Sequence, residues 1–358
     1  MPKPASPPPP GIALALLSAL LFGASTPLAK LLLGSTSPLM LAGLLYLGSG
    51  FGLLALRTGA RHITWLRPLH TQEAPLRRAD FGWLALAVMT GGMAGPALLM
   101  LGLAHTDAAS ASLLLNLEGL ATMVIAWSVF HENTDRRVVL GAFAILAGAC
   151  VLSWSGAGIT ASTGALLIAG ACLCWGVDNN ATARLSGADP TQITLIKGLV
   201  AGTVNLTLAL ATGASFPPPV LLVGALLTGF AGYGASLVLF ILGLRALGAA
   251  RAGAYFSLAP FAGACLAIPL LHEAPTLRLV LAGGLMALGL WLHLTERHEH
   301  DHTHDSMEHE HRHTHDAHHQ HSHGPNDPTG EPHTHRHQHV ALTHRHAHYP
   351  DLHHRHTH

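Results

Sequence analysis

Apolar residues fill the first 292 positions in long blocks separated by short polar turns, and almost nothing apolar follows His293. A bilayer core about 30 Å thick is crossed by about 20 apolar residues in an α-helix. Ten such blocks stand at 11–33, 37–57, 81–104, 108–130, 137–154, 163–184, 190–211, 219–244, 249–271 and 276–294. They lack the regular polar face that a soluble helix of this length would show. Helix is the expected conformation, because backbone groups in lipid must be paired within the segment. Pro27, Pro96, Pro260 and Pro269 fall inside the blocks, as do the small-residue stretches TGGMAGP (90–96) and GFAGYGAS (229–236). Membrane helices tolerate such prolines, and small residues let their backbones approach closely.

Loop charge orients the chain. With the N-terminus inside, the cytoplasmic side receives Lys3, Arg57, Arg61, Arg67, Arg77, Arg78, Arg136, Arg137, Arg184, Arg245, Arg251 and the arginines of the tail; the other side receives Arg278. By the positive-inside rule both termini are expected in the cytoplasm, in an inner membrane. Residues 1–10, MPKPASPPPP, read as an extended lead-in rather than a signal peptide, since no basic region leads into a short apolar stretch with a cleavage site.

The second half repeats the first. Shifted by 141 residues, GLAHTDAASASLLLNLEGLATMVIAWSVFHE (102–132) falls without gaps on GLRALGAARAGAYFSLAPFAGACLAIPLLHE (243–273), with ten of 31 positions identical, including a terminal His-Glu (His131-Glu132 and His272-Glu273). Five spans per half, an odd number, make the halves inverted relative to each other. The expected fold is therefore all-α and integral to the membrane, with ten transmembrane helices in two inverted five-helix repeats (11–154 and 163–294) and a disordered His-rich tail (295–358). Inverted repeats mark secondary transporters, whose substrates bind near mid-membrane between the repeats.

LLFGASTPLAKLLL in the first span, NLEG or SLAP followed by His-Glu, a short polar turn and a glycine-rich last span, all in this order and twice over, resemble EamA-type members of the drug/metabolite transporter superfamily. The resemblance covers essentially all of 11–154 and 163–294. It implies two inverted five-helix repeats, a central cavity, and export or exchange of small metabolites. The family often carries Glu-Pro after the leucine of the fourth and ninth spans; here the two are divided between Leu117-Glu118-Gly119 and Leu258-Ala259-Pro260.

Charges at bilayer depth cost a few kcal/mol or more and usually face a cavity or a partner. Lys30, Glu118, Asp178 and Lys197 lie inside spans. Lys30, near the end of the first span, can snorkel to the interface or serve the cavity. Glu118 is too deep and too short to snorkel; it reads as a cavity or ion-pair carboxylate, with a protonated packing carboxyl as the alternative. Asp178-Asn179-Asn180 belong to the cavity, unless span six ends early and leaves them wet. Lys197 pairs with Asp178 or Glu118 in one reading and snorkels in the other. Asn116, Asn205, Tyr233, Tyr255 and Trp175 are further candidates for hydrogen bonds or aromatic walls. The expected substrate and proton cavity is thus Glu118, Asp178, Asn179, Asn180, Lys197, Lys30, Asn116 and Tyr255, with Glu118 and Asp178 the candidate proton carriers.

Composition narrows the chemistry. The chain is 49% hydrophobic and 11% charged, with 19 basic and 19 acidic residues, so no nucleic-acid footprint appears. No phosphate-binding loop, nucleophile elbow or dinucleotide fingerprint occurs, so an enzyme or an ATP-driven pump is not expected, and no cofactor is required. Cys150, Cys172, Cys174 and Cys265 sit in apolar runs and read as packing residues. Of 29 histidines, 24 lie from His293 onward, mostly alternating with Asp, Glu, Thr and Arg. His298, His300, His302, His304, His309, His311, His313, His315, His318, His319, His321, His323, His333, His335, His337 and His339 are candidate ligands for Zn, Ni, Co or Cu, which neutral imidazole suits. The tail would buffer or sense metal, or be a solvated segment with incidental affinity. The expected partners are the bilayer, a small-molecule substrate and divalent ions at the tail; a homodimer is allowed. Two further readings stand beside the carrier, a divalent metal exporter and a membrane-anchored metal sensor. No span has a histidine near its centre, which weighs against the exporter.

Overall fold

The computed structural model describes residues 10–59, 76–130, 136–153, 162–185, 188–247, 249–295, 298–304, 307–313, 333–339 and 342–348. The lead-in through residue 9, Arg61, Arg67, His131, Glu132, His315, His318, His319, His321 and His323 lie outside the described residues.

The apolar blocks are helices. The first two are α1 (Pro10–Leu33) and α2 (Pro38–Gly59). The third block begins with a 3₁₀ turn (Arg78–Asp80) and α3 (Phe81–Ala87), passes through a π-helical stretch (Val88–Ala94), and ends as α4 (Gly95–Ala104). The fourth is broken into α5 (Ala108–Leu114) and α6 (Leu117–Phe130), and the fifth is α7 (Arg136–Ser153). In the second half come α8 (Thr163–Arg184) and α9 (Pro190–Ala211), then α10 (Pro219–Gly229), a π stretch (Phe230–Ala235) and α11 (Ser236–Leu247). The series closes with α12 (Ala249–Phe256), α13 (Ala259–Leu271) and α14 (Leu277–Leu294).

Among the described residues, nine stretches are long and apolar enough to cross a membrane. The segment that falls short is α8. It is a 22-residue helix, but Asp178-Asn179-Asn180 lower its hydropathy. Both halves carry the same irregularities at matching places. The π stretches end at Ala94 and Ala235, and the breaks in spans four and nine fall at Asn116 and Ser257; each pair is 141 residues apart. Asn116 holds its break open by donating from Nδ2 to the Leu113 carbonyl at 2.8 Å. In the second half Pro260 sits in the first turn of α13, where a proline's missing N–H costs no hydrogen bond.

Packing runs mainly between the halves. α2 packs on α9, α7 on α14, α1 on α11 and α13, and both α4 and α6 on α8. At the α2–α9 seam a side chain on Gly43 would strike the backbone of Leu206 and Gly202, and one on Gly198 the backbone of Gly50. Gly141 and Gly289 bring α7 and α14 together in the same way, and His293 Nε2 meets the Val138 carbonyl at 2.9 Å across that pair. Large apolar side chains such as Phe51, Phe143 and Val220 point outward, as a lipid-facing surface requires.

Two opposite ends of the bundle are tied differently. At one, Arg57 at the end of α2 approaches Asp189 at 3.5 Å, and Asp189 caps α9 by accepting from the Thr191 N–H. At the other, Lys30 Nζ donates to the carbonyls of Leu103 and Thr106 at 2.6 and 2.7 Å, closing the C-terminus of α4. Beside it the Glu273 carboxylate accepts from Ala108 N–H at 2.7 Å and Ala109 N–H at 2.8 Å, capping α5 from the opposite half. A carboxylate at a helix N-terminus satisfies orphan N–H groups and complements the helix dipole.

The described residues of the tail form four strands, β1 (His298–His304), β2 (Met307–His313), β3 (His333–His339) and β4 (Leu342–His348). β1 pairs antiparallel with β4, and β2 with β3. Alternation of histidine with another residue has the period of a strand.

Candidate functional site

A cavity of about 860 Å³, counting the open space at its mouth, lies between the halves. Its walls come from α1 (Phe22), α2 (Tyr46, Ser49), α6 (Glu118), α8 (Trp175, Asp178, Asn179), α9 (Thr194, Lys197), the second π stretch with α11 (Tyr233, Phe240) and α12 (Phe256). On α8 the lining residues sit in the second half of the helix and on α9 in its first turns, which places the cavity toward the Arg57–Asp189 end. Toward the Glu273 end the core is filled by Met40, Leu41, Leu99, Leu103, Leu113 and Leu114, all nearly inaccessible.

Asp178 and Lys197 form the charged centre. Lys197 Nζ donates to Asp178 Oδ1 at 2.6 Å and Oδ2 at 2.7 Å, and Thr182 Oγ1 donates to Oδ1 at 3.1 Å. The Lys197 side chain is 15% exposed and that of Asp178 8%, so each charge depends on the other for compensation. Gly91 of the first π stretch makes room for them: a Cβ there would collide with the Asp178 carboxylate, and one on Gly92 would meet Lys197 Cγ at 3.0 Å.

Glu118 stands apart from that pair. It occupies the first turn of α6, immediately after the break in span four, where the helix dipole favours a negative charge. Its Oε1 accepts from Asn179 Nδ2 at 3.0 Å, and the same amide also donates to Thr122 Oγ1 at 3.1 Å. Among the described residues Glu118 forms no direct ion pair.

The π stretch shapes the rest. Its irregular hydrogen bonding leaves carbonyls available to side chains. The Gly91 carbonyl accepts from Tyr46 Oη at 2.8 Å and from Trp175 Nε1 at 3.0 Å, and Asn205 Nδ2 donates to the Met93 carbonyl at 3.2 Å. The donors of Tyr46 and Trp175 are therefore already used within the protein, and both residues line the cavity. Phe22 packs edge-on to Tyr233, and Phe256 lies against both Phe22 and Phe240.

Of the residues singled out from sequence, Glu118, Asp178, Asn179, Lys197, Trp175 and Tyr233 come together at this cavity. Asn180, Asn116, Lys30 and Tyr255 do not line it. Asn180 locks α8 to α6 by donating to the carbonyls of Thr122 and Gly176; Lys30 caps α4; Tyr255 gives its place to its neighbour Phe256. Phe22, Tyr46, Phe240 and Phe256 were not anticipated. A single aromatic in an apolar span looks the same in sequence whether it faces lipid or a cavity. Among the described residues no group of three or more His, Cys, Asp or Glu gathers to hold a metal.

The sequence matches the EamA-like transporter family twice, over residues 9–154 and 162–295. An "uncharacterized transporter" of Methanothermobacter thermautotrophicus is 29% identical over 287 residues, spanning 77% of this chain and 84% of the relative. A solved crystal structure, 19% identical, superimposes with a TM-score of 0.56 over 79% of this chain and 96% of its own, a likeness of fold. Transporters of this kind work without a cofactor. Repeated family match, apolar helices and a polar cavity between the halves lead to one conclusion: the chain is a multi-pass membrane protein and belongs to the EamA-like transporter family.

Proposed function

We propose that the protein is a secondary carrier that exports or exchanges small organic solutes across the inner membrane by alternating access. Ten spans, two inverted repeats and cytoplasmic termini complete this reading. The observation that supports it most is the cavity walled by both halves, holding Glu118 and the Asp178–Lys197 pair at a depth where isolated charges are costly. Glu118 is the residue placed to take up and release a proton, since Asp178 is held by Lys197. In this arrangement the cavity faces the cytoplasm, and the Lys30 and Glu273 caps close the far end.

The histidine tail forms a cytoplasmic metal-binding appendage in this proposal, binding Zn, Ni, Co or Cu. The backbone register favours it, because it sets His298 opposite His348, His300 opposite His346, His309 opposite His337 and His311 opposite His335. The metal-exporter alternative is less well supported, since the cavity residues offer two carboxylates, of which one is already paired with a lysine.

Uptake into vesicles reconstituted with the full chain tests the proposal. Flux of an organic solute that is lost in Glu118→Ala or Asp178→Ala is the expected result. Zinc or nickel flux sustained without residues 298–358 would favour the exporter, and tail-only metal binding with no flux would favour the sensor. Reporter fusions placing the two termini on different faces would overturn the inverted arrangement.

A further inference from the structure

We infer that the solute is a singly charged organic cation, an amine or quaternary ammonium with an aromatic or alkyl body. This rests on the carrier reading above and concerns the same cavity.

The charges point that way. Among the charged lining residues, Lys197 is bonded to both oxygens of Asp178 and the two compensate each other. Glu118 receives only the neutral Asn179 amide. An ionised Glu118 is thus a carboxylate with no direct ion pair among the described residues, in a site where low dielectric strengthens attraction to a cation. An anion would meet this carboxylate, and the one lysine on offer is already neutralised.

The hydrogen-bonding capacity agrees. Tyr46 and Trp175 direct their donors to the Gly91 carbonyl, so what they offer a ligand is aromatic ring surface rather than a donor. Phe22, Tyr233, Phe240 and Phe256 extend that surface. Aromatic faces attract cations when water is excluded. Ser49, a lining residue only 2% exposed, carries a buried hydroxyl with no protein partner among the described residues; it can accept from an ammonium N–H that reaches it. Aromatic rings and a carboxylate with no direct ion pair form much of the lining, and a ligand that supplies positive charge and donors complements them.

Calorimetric binding to the purified full-length protein, with phenethylamine, benzyltrimethylammonium, phenylacetate and phenylalanine as probes, tests this. The two cations are expected to bind and phenylacetate not to; Glu118→Gln, which keeps an acceptor for Asn179, should weaken cation binding tenfold or more. If Glu118→Gln does not fold, Phe256→Leu should weaken benzyltrimethylammonium several-fold but leave neutral benzyl alcohol unchanged. The inference is overturned if phenylacetate or phenylalanine binds as tightly as phenethylamine, if neither variant discriminates, or if no probe binds. Vesicle flux separates the two levels: Glu118-dependent transport of an anion or zwitterion would sink the cation class and keep the carrier, whereas no flux of any solute would sink both.

Discussion

Lys197 Nζ lies within 2.7 Å of both carboxylate oxygens of Asp178, joining α9 to α8 inside the cavity. Removing one partner leaves a buried charge uncompensated, at about 3–5 kcal/mol, whereas replacing both by neutral residues is far milder. Lys197→Met and Asp178→Asn should therefore each lower the melting temperature in detergent sharply, and the double variant should recover most of the loss. Equal destabilisation by the singles and the double would refute the pairing.

Gly91 is the clearest point at which one methyl group should matter. Its Cβ would collide with the Asp178 carboxylate, so Gly91→Ala should reduce vesicle flux about tenfold or more (a displacement of the order of 1 Å can do this). Gly284 on α14 has open space around its Cβ position, and Gly284→Ala should leave flux intact and melting unchanged or raised.

The Glu273 carboxylate serves two N–H groups of α5. Glu273→Ala orphans both, at about 1–3 kcal/mol each for a group left unsatisfied. Hydrogen exchange over residues 105–114 should accelerate, while exchange in α7 and α14 stays as it was. Unchanged protection at 108 and 109 would show that the cap does not matter.

Deleting residues 298–358 should abolish most zinc or nickel binding and leave solute flux untouched. In the intact protein, binding should fall as the pH drops below about 6, because protonated imidazole cannot ligate a metal. Equilibrium dialysis across that range reads both effects; flux that depends on the tail would contradict the separation.

The apolar helices were legible because each block declares itself over about 20 residues. Asp178 was harder: three polar residues near a span's end look like a wet terminus, and only the continuation of α8 to Arg184, with Lys197 opposite, places them inside. The glycine stretches at 90–96 and 229–236 were visible as close-packing faces. The carbonyl partners of the first, now π-helical, are Tyr46 and Asn205, far away in the chain. Glu273 carried a signal, the His-Glu that ends each repeat, but its target on α5 lies 165 residues upstream. Lys30 likewise finds its acceptors 73 and 76 residues away. Partners at such separation leave no local trace.

The seams between α2 and α9 and between α7 and α14 have a consequence for biogenesis. Each joins a helix made early to one made late. The first five spans, once in the bilayer, have no internal partner for Gly43 or Gly141 and must wait in lipid until translation delivers α9 and α14. Maturation is then a mating of two incomplete sets, and neither half expressed by itself would be expected to persist as a finished object.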